Sequence, residues 1–104
     1  MLEAKDADVL AGRIAKGSWA VLFTASWCPQ CRAFSPHFPK YEGKSRHSLA
    51  KITVEDDDNP AWDHFSVTSI PTVVLFENGK ETARVEPEGP VGISAERMRK
   101  LLGI

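Results

Sequence analysis

Cysteine is scarce in this 104-residue chain, with Cys28 and Cys31 the whole supply. Two thiols exclude the disulfide frameworks that hold small secreted domains together. Long apolar runs are missing as well, and no stretch is long enough to span a bilayer. Neither sign of charge dominates: 13 basic and 14 acidic residues leave a net charge of −1. No global field therefore draws nucleic acid or an anionic membrane surface, and neither is expected as a partner. Internal repeats, low-complexity tracts and linkers are also lacking. The opening residues, Met1-Leu2-Glu3-Ala4-Lys5-Asp6, have none of the basic-then-apolar pattern of a secretory leader. A cytoplasmic chain is the expectation, although an export form with its leader removed would read the same way. A hydrophobic share of 42% supports one core, hence a single domain over residues 1–104.

Both cysteines lie in Trp27-Cys28-Pro29-Gln30-Cys31, directly after an apolar run over residues 21–25 that reads as a buried strand. Sulfurs three positions apart face each other only where the backbone turns helically between them. Closing so small a ring adds little stability, whereas the aligned amide dipoles of a helix start favour a thiolate. Pro29 suits the first helical turn, where its missing N–H has no partner to lose. Cys28 is accordingly expected at an exposed helix start, with Cys31 one turn inside. A zinc site would need further ligands, and His37, His47 and His64 offer no second paired spacing. The context favours a redox-active dithiol over a metal site or a static disulfide.

The remaining pattern gives an order of elements. Residues 6–16 read as a helix with Leu10 and Ile14 on one face, and residues 19–25 as a central strand. From Pro29 onward, Cys31, Phe34, Phe38 and Tyr41 recur at helical spacing; Pro36 should kink this helix and Pro39 end or distort it. Residues 49–54 form a strand, followed by the acidic run 55–58, read as a solvated loop because it lacks the alternation and glycine of a calcium loop. Asn59-Pro60 starts a helix with Trp62 and Phe65 turned inward. Residues 72–77 and 81–85 form a hairpin across Asn78-Gly79, and Ser94 caps a last helix that turns Met98, Leu101 and Leu102 to the sheet. Alternation followed by a hairpin implies an α/β fold, a mixed sheet with helices on both faces.

Four features in this order resemble the thioredoxin superfamily over residues 19–102. They are Trp27-Cys28-x-x-Cys31 after a strand, Pro36 beyond the second cysteine, Ile70-Pro71-Thr72 before the third strand, and Phe76-x-Asn78-Gly79 at the hairpin. The resemblance implies a thioredoxin fold in which Cys28 attacks a disulfide and Cys31 resolves the mixed disulfide. It also implies a cis peptide bond at Ile70-Pro71 beside the cysteines, which sequence alone would not suggest. Trp27, Pro29, Gln30, Ile70 and Pro71, with the strand end near Val85, would line a shallow substrate groove; core packing is the alternative for Trp27 and Ile70. The implied activity is reduction of protein disulfides by a monomer that needs no cofactor or metal beyond its own Cys28–Cys31 disulfide. A thioredoxin reductase or another dithiol donor would supply electrons. A disulfide oxidase or isomerase and a redox-sensing module without turnover are the rival readings.

The chain departs from that family's pattern in three places. So little sequence precedes the first strand that the family's extra N-terminal strand is expected to be absent, leaving a four-stranded sheet. Leu22 and Thr53 stand where the family carries a buried aspartate and a lysine that help move the inner thiol's proton. Pro29-Gln30 replaces the usual Gly-Pro, and Glu86 stands near the place of a family glycine, an acid at the groove rim that would alter substrate choice.

Overall fold

The computed structural model describes residues 1–104, the Val91 side chain excepted. Its elements are β1 (Leu2–Ala4), α1 (Ala7–Arg13), β2 (Ser18–Thr24), α2 (Pro29–Phe34), β3 (Ser48–Thr53), α3 (Ala61–His64), β4 (Thr72–Glu77), β5 (Lys80–Val85) and α4 (Ala95–Leu102). The five strands form one mixed sheet in the order β1-β3-β2-β4-β5. β3 lies parallel to both β1 and β2, while β4 runs antiparallel to β2 and to β5.

β1 corrects the expectation of four strands. Three residues are too few to display a period-two pattern, so the sequence carries no strand signal there. The strand exists because the outer edge of β3 is open, and Leu2, Glu3 and Ala4 pair with Ala50, Lys51 and Ile52. Glu3 and Lys51, directly opposite, form an ion pair at 3.3 Å.

Side chains of β2 alternate between two apolar clusters, one on each face of the sheet. Val21 and Phe23 join Leu10 of α1, Ile14 at its C-cap, Ala61 of α3 and Ile52 of β3. Ala20 and Leu22 join Phe34, Phe38, Leu49 of β3, and Met98 and Leu102 of α4. Helix ends follow local chemistry. Asp6 Oδ1 accepts the backbone N–H groups of Asp8 and Val9, and Ser94 Oγ accepts that of Arg97. Asn59 Oδ1 accepts the Ala61 N–H at 2.9 Å at the start of the single-turn α3.

The long kinked helix expected after the cysteines is a shorter one. α2 stops at Phe34 and the chain continues as 3₁₀ turns over Ser35–Tyr41. Pro36 and Pro39 each remove an N–H that an α-helical ladder would need. The expected common face splits with it: Cys31 belongs to the cluster of Val21 and Phe23, while Phe34, Phe38 and Tyr41 pack in the other. At the hairpin, Asn78 and Gly79 both have positive φ, 51° and 85°, as a two-residue turn of matching twist requires. Among the described residues no helix is long and apolar enough to cross a membrane.

Candidate active site

Cys28 sits at the C-terminal end of β2 and is the N-cap of α2, with extended backbone at φ −92° and ψ 115°. An N-cap side chain is turned back to meet the helix's unpaired N–H groups. The Cys28 sulfur does so, accepting the Cys31 N–H at 3.2 Å. Pro29 follows at the first helical position, and neither cysteine is disulfide-bonded. This inward turn corrects the expected exposure: Cys28 retains 6% of its surface and Cys31 none.

The wall opposite Cys28 is the turn before β4. The Ile70–Pro71 peptide bond is cis, and the Cys28 thiol donates to the Ile70 carbonyl oxygen at 3.8 Å. Ile70 is buried in the same cluster as both cysteines, so its side chain is core while its carbonyl faces the site. Thr72 Oγ1 donates to the Ser69 carbonyl at 2.7 Å and ties the turn to β4. Pro71 is buried and Pro29 exposed. Trp27, the residue before Cys28, keeps 52% of its surface exposed, one of the few large apolar side chains left open. Val85 is buried in the cluster of Leu22 on the far face of the sheet, away from the groove assigned to it.

Two features of the site left no trace in the motif. Glu55, first of the acidic run, is exposed, as the solvated-loop reading expects, and is a structural anchor as well: its carboxylate accepts the Ser26 N–H at 2.7 Å and the Ser26 hydroxyl at 2.6 Å, and its carbonyl accepts the Trp27 indole N–H at 2.8 Å. The hydrogen bonds from Ser26 hold its carboxyl below the usual range. Sequence offered one signal, an acid two residues past β3, the strand next to the one that leads into Cys28. The second feature is the segment after β5. Gln30 donates its amide to the Gly89 carbonyl at 2.8 Å, and a Cβ placed on Gly92 would lie 3.5 Å from that of Gln30 and 3.7 Å from Pro71 Cγ. Gly92, at φ 77°, is therefore the glycine that closes against the site, and Glu86 is not at its place. Arg97 holds the excursion by donating to the carbonyls of Glu86 and Gly92.

Burial pushes the Cys31 thiol up to about 11, with the neighbouring Cys28 adding to the effect; hydrogen bonds from the Thr24 hydroxyl and the Ala25 backbone act the other way. Leu22 is fully buried on the opposite face from Cys31, and Thr53 is half-buried beside Thr24 in the β2–β3 pairing. Neither offers a carboxylate or an amine. His37 and His64 are exposed, whereas His47, assigned to a polar connection, is 5% exposed and remote from the sulfurs in the fold, near Glu77. Among the described residues no group of three acidic, histidine or cysteine side chains is placed to hold a metal ion.

A cysteine capping a helix at a strand end, a second cysteine one turn behind it and a cis-proline turn facing the first define the thioredoxin-fold class of dithiol proteins. Comparisons with known proteins agree. The Thioredoxin family model matches residues 4–97. Thioredoxin of Chlamydia pneumoniae is 38% identical over 73 residues, 69% of this chain and 71% of that one. Thioredoxin of Chlamydia trachomatis is 32% identical over 85 residues, covering 81% and 82%. The structure of Fasciola hepatica thioredoxin superposes with a TM-score of 0.80 at 29% identity, covering 99% of this chain and 97% of that one. A further relative, the bifunctional thioredoxin reductase/thioredoxin of Mycobacterium leprae, is 29% identical over 86 residues, 81% of this chain and 19% of that protein. The chain belongs to the thioredoxin family, and it is an enzyme with thiol–disulfide oxidoreductase activity.

Proposed function

We propose that this protein reduces protein disulfides by dithiol exchange, with Cys28 the attacking thiol and Cys31 the resolving one. The observation that carries the reading is the capping geometry. The Cys31 N–H donates to the Cys28 sulfur, a contact that strengthens as that sulfur becomes anionic. The Cys28 thiolate attacks one sulfur of the substrate disulfide; a mixed disulfide forms and the other substrate sulfur leaves as thiolate. The Cys31 thiolate then attacks the Cys28 sulfur, closing the Cys28–Cys31 bond and releasing the second substrate thiolate. Two electrons have passed to the substrate.

Trp27, Pro29, Gln30, Ile70 and Pro71 form the surface against which an extended substrate strand lies, with the Ile70 carbonyl beside the exchanging sulfurs. The oxidised enzyme is returned to the dithiol by a thioredoxin reductase; the Mycobacterium leprae relative, named for both activities, supports this pairing. The chain acts as a monomeric single domain in the cytoplasm and uses no metal or added cofactor.

Replacing Cys28 by serine is expected to abolish reduction of a protein disulfide such as insulin. Cys31→Ser should instead accumulate a covalent enzyme–substrate adduct, seen by mass spectrometry under non-reducing conditions. Parental turnover in Cys28→Ser would overturn the assignment. Partner binding that depends on the oxidation state, without multiple turnover, would favour a redox-sensing module instead.

A further inference from the structure

A cavity of about 530 Å³ lies between the 3₁₀ turns that follow α2 and the segment 93–104 that contains α4. It shares no lining residue with the groove assigned to the substrate. Its floor is apolar: Phe34 and Ile93 are buried in the cluster of Leu22 and Met98, whereas both cysteines and Ile70 belong to the cluster on the other face of the sheet. Its wall is basic. Side chains three apart in a 3₁₀ turn stand one above the other, so His37 and Lys40 reach the cavity together; Lys44 follows from the next turn and Arg99 comes from α4. All four are exposed. The ion pairs of the described residues engage Arg46, Lys51, Arg84 and Arg97, and Lys40, Lys44 and Arg99 are in none of them. Glu42, between the two lysines in sequence, pairs instead with the Met1 amine at 3.1 Å. No acidic side chain lines the cavity, and the one negative group of the lining is the main-chain carboxylate of Ile104. Three permanent cations against one carboxylate concentrate positive charge here, in a chain whose net charge is −1.

We propose that this cavity binds a small organic anion, a phosphate monoester with an aromatic or alkyl body. Its volume falls within the range of small-molecule sites, about 300–1,000 Å³, which join an apolar lining to a few placed polar groups. Phe34 and Ile93 receive the apolar body. Arg99, whose guanidinium is a planar fork of donors, takes two phosphate oxygens, and Lys40 and Lys44 add point charges. The excess of positive charge suits a phosphate monoester, which carries about −1.5 to −2 at pH 7, better than a carboxylate, which carries a single charge. Binding involves neither thiol and so stands apart from the dithiol reading above.

The test is calorimetric titration of the reduced protein with 1-naphthyl phosphate, and separately with 1-naphthol and inorganic phosphate, the body and the charge alone. The ester should bind at one site with a Kd on the order of 0.1–1 mM, and amide NMR shifts should change most around Phe34, Tyr41 and Ile93. Each fragment alone should bind at least about tenfold more weakly. Arg99→Gln and the double variant Lys40→Gln/Lys44→Gln should each weaken the ester about tenfold, whereas Lys80→Gln, on the hairpin, should leave it unchanged. The replaced residues are all exposed, so none of these variants loses a buried contact. Added salt should weaken binding more in the parental protein than in Arg99→Gln. Lack of saturable binding at about ten times the expected Kd, equal binding of either fragment, or full affinity in Arg99→Gln or in the lysine double variant would overturn the site. Cys28→Ser should bind the ester as the parental protein does, so a failed dithiol reading would leave this result standing.

Discussion

Leu22 is the residue where this chain differs most tellingly from the pattern it resembles. It is fully buried, in one cluster with Phe34, Phe38 and Met98. A carboxyl group there would be taken out of water with no donor described near it, at a cost of about 2–7 kcal/mol, depending on reference state, for an uncompensated polar group. Leu22→Asp is therefore expected to lower the unfolding free energy by about 3 kcal/mol, read as a lower urea midpoint at unchanged slope. Equal midpoints for the two proteins would mean that the cluster admits water. At this scale the sulfurs were legible from spacing alone, because i and i+3 on one helical turn meet wherever the helix forms. The inward turn of Cys28 was not: the bond from the Cys31 N–H to its sulfur and the turn at Ile70 together bury it, and the turn lies far away in sequence.

Elements position the site through loop-to-loop contacts. The connection from β2 to α2 is held by Glu55, two residues past β3, through Ser26 and the Trp27 indole. Glu55→Ala removes the two carboxylate bonds and should loosen Trp27. With Trp19 and Trp62 replaced by phenylalanine, leaving Trp27 the sole tryptophan, faster anisotropy decay in the Glu55→Ala protein is the expected result; an identical decay would show that the remaining contacts suffice. The same logic separates readable from unreadable elements. Residues 72–77 and the turn at Asn78-Gly79 were readable because local alternation and φ preference agree with the tertiary demand. β1 and the 3₁₀ turns were not, since one needed an open neighbouring edge and the other depended on how two prolines share a short segment.

Stability of the whole molecule should depend on pH in two stages. His47 is buried beside Glu77, Arg46 and the Ser45 hydroxyl. Burial, helped by the Arg46 charge and opposed by Glu77, holds its imidazole below the ordinary value. A folded pKa below the unfolded one means that the unfolded chain takes up the proton first. Stability is then complete above about pH 6.5 and declines as pH falls through that value. A second decline follows below about pH 4.5, where carboxylates held low in the fold are protonated: Glu77 by the Ser18 hydroxyl, Glu81 by Arg84 and Glu55 by Ser26. Urea unfolding between pH 4 and 8 should show both stages in the parental protein and the lower one alone in His47→Gln. A first stage that survives in His47→Gln would assign it to another group.

The fold class and the two sulfurs are written in the order of residues, because both follow from local rules: strand and helix periodicity, turn chemistry and the reach of one helical turn. Packing in three dimensions adds the fifth strand, the burial of Cys28, the anchoring by Glu55 and the seat of Gly92 beside Gln30. It also brings the hydroxyls of Thr24 and Ser35 within 3.1 Å of each other. Each of these joins residues distant along the chain or dependent on how neighbouring segments pack, and such contacts exist only once the sheet has closed.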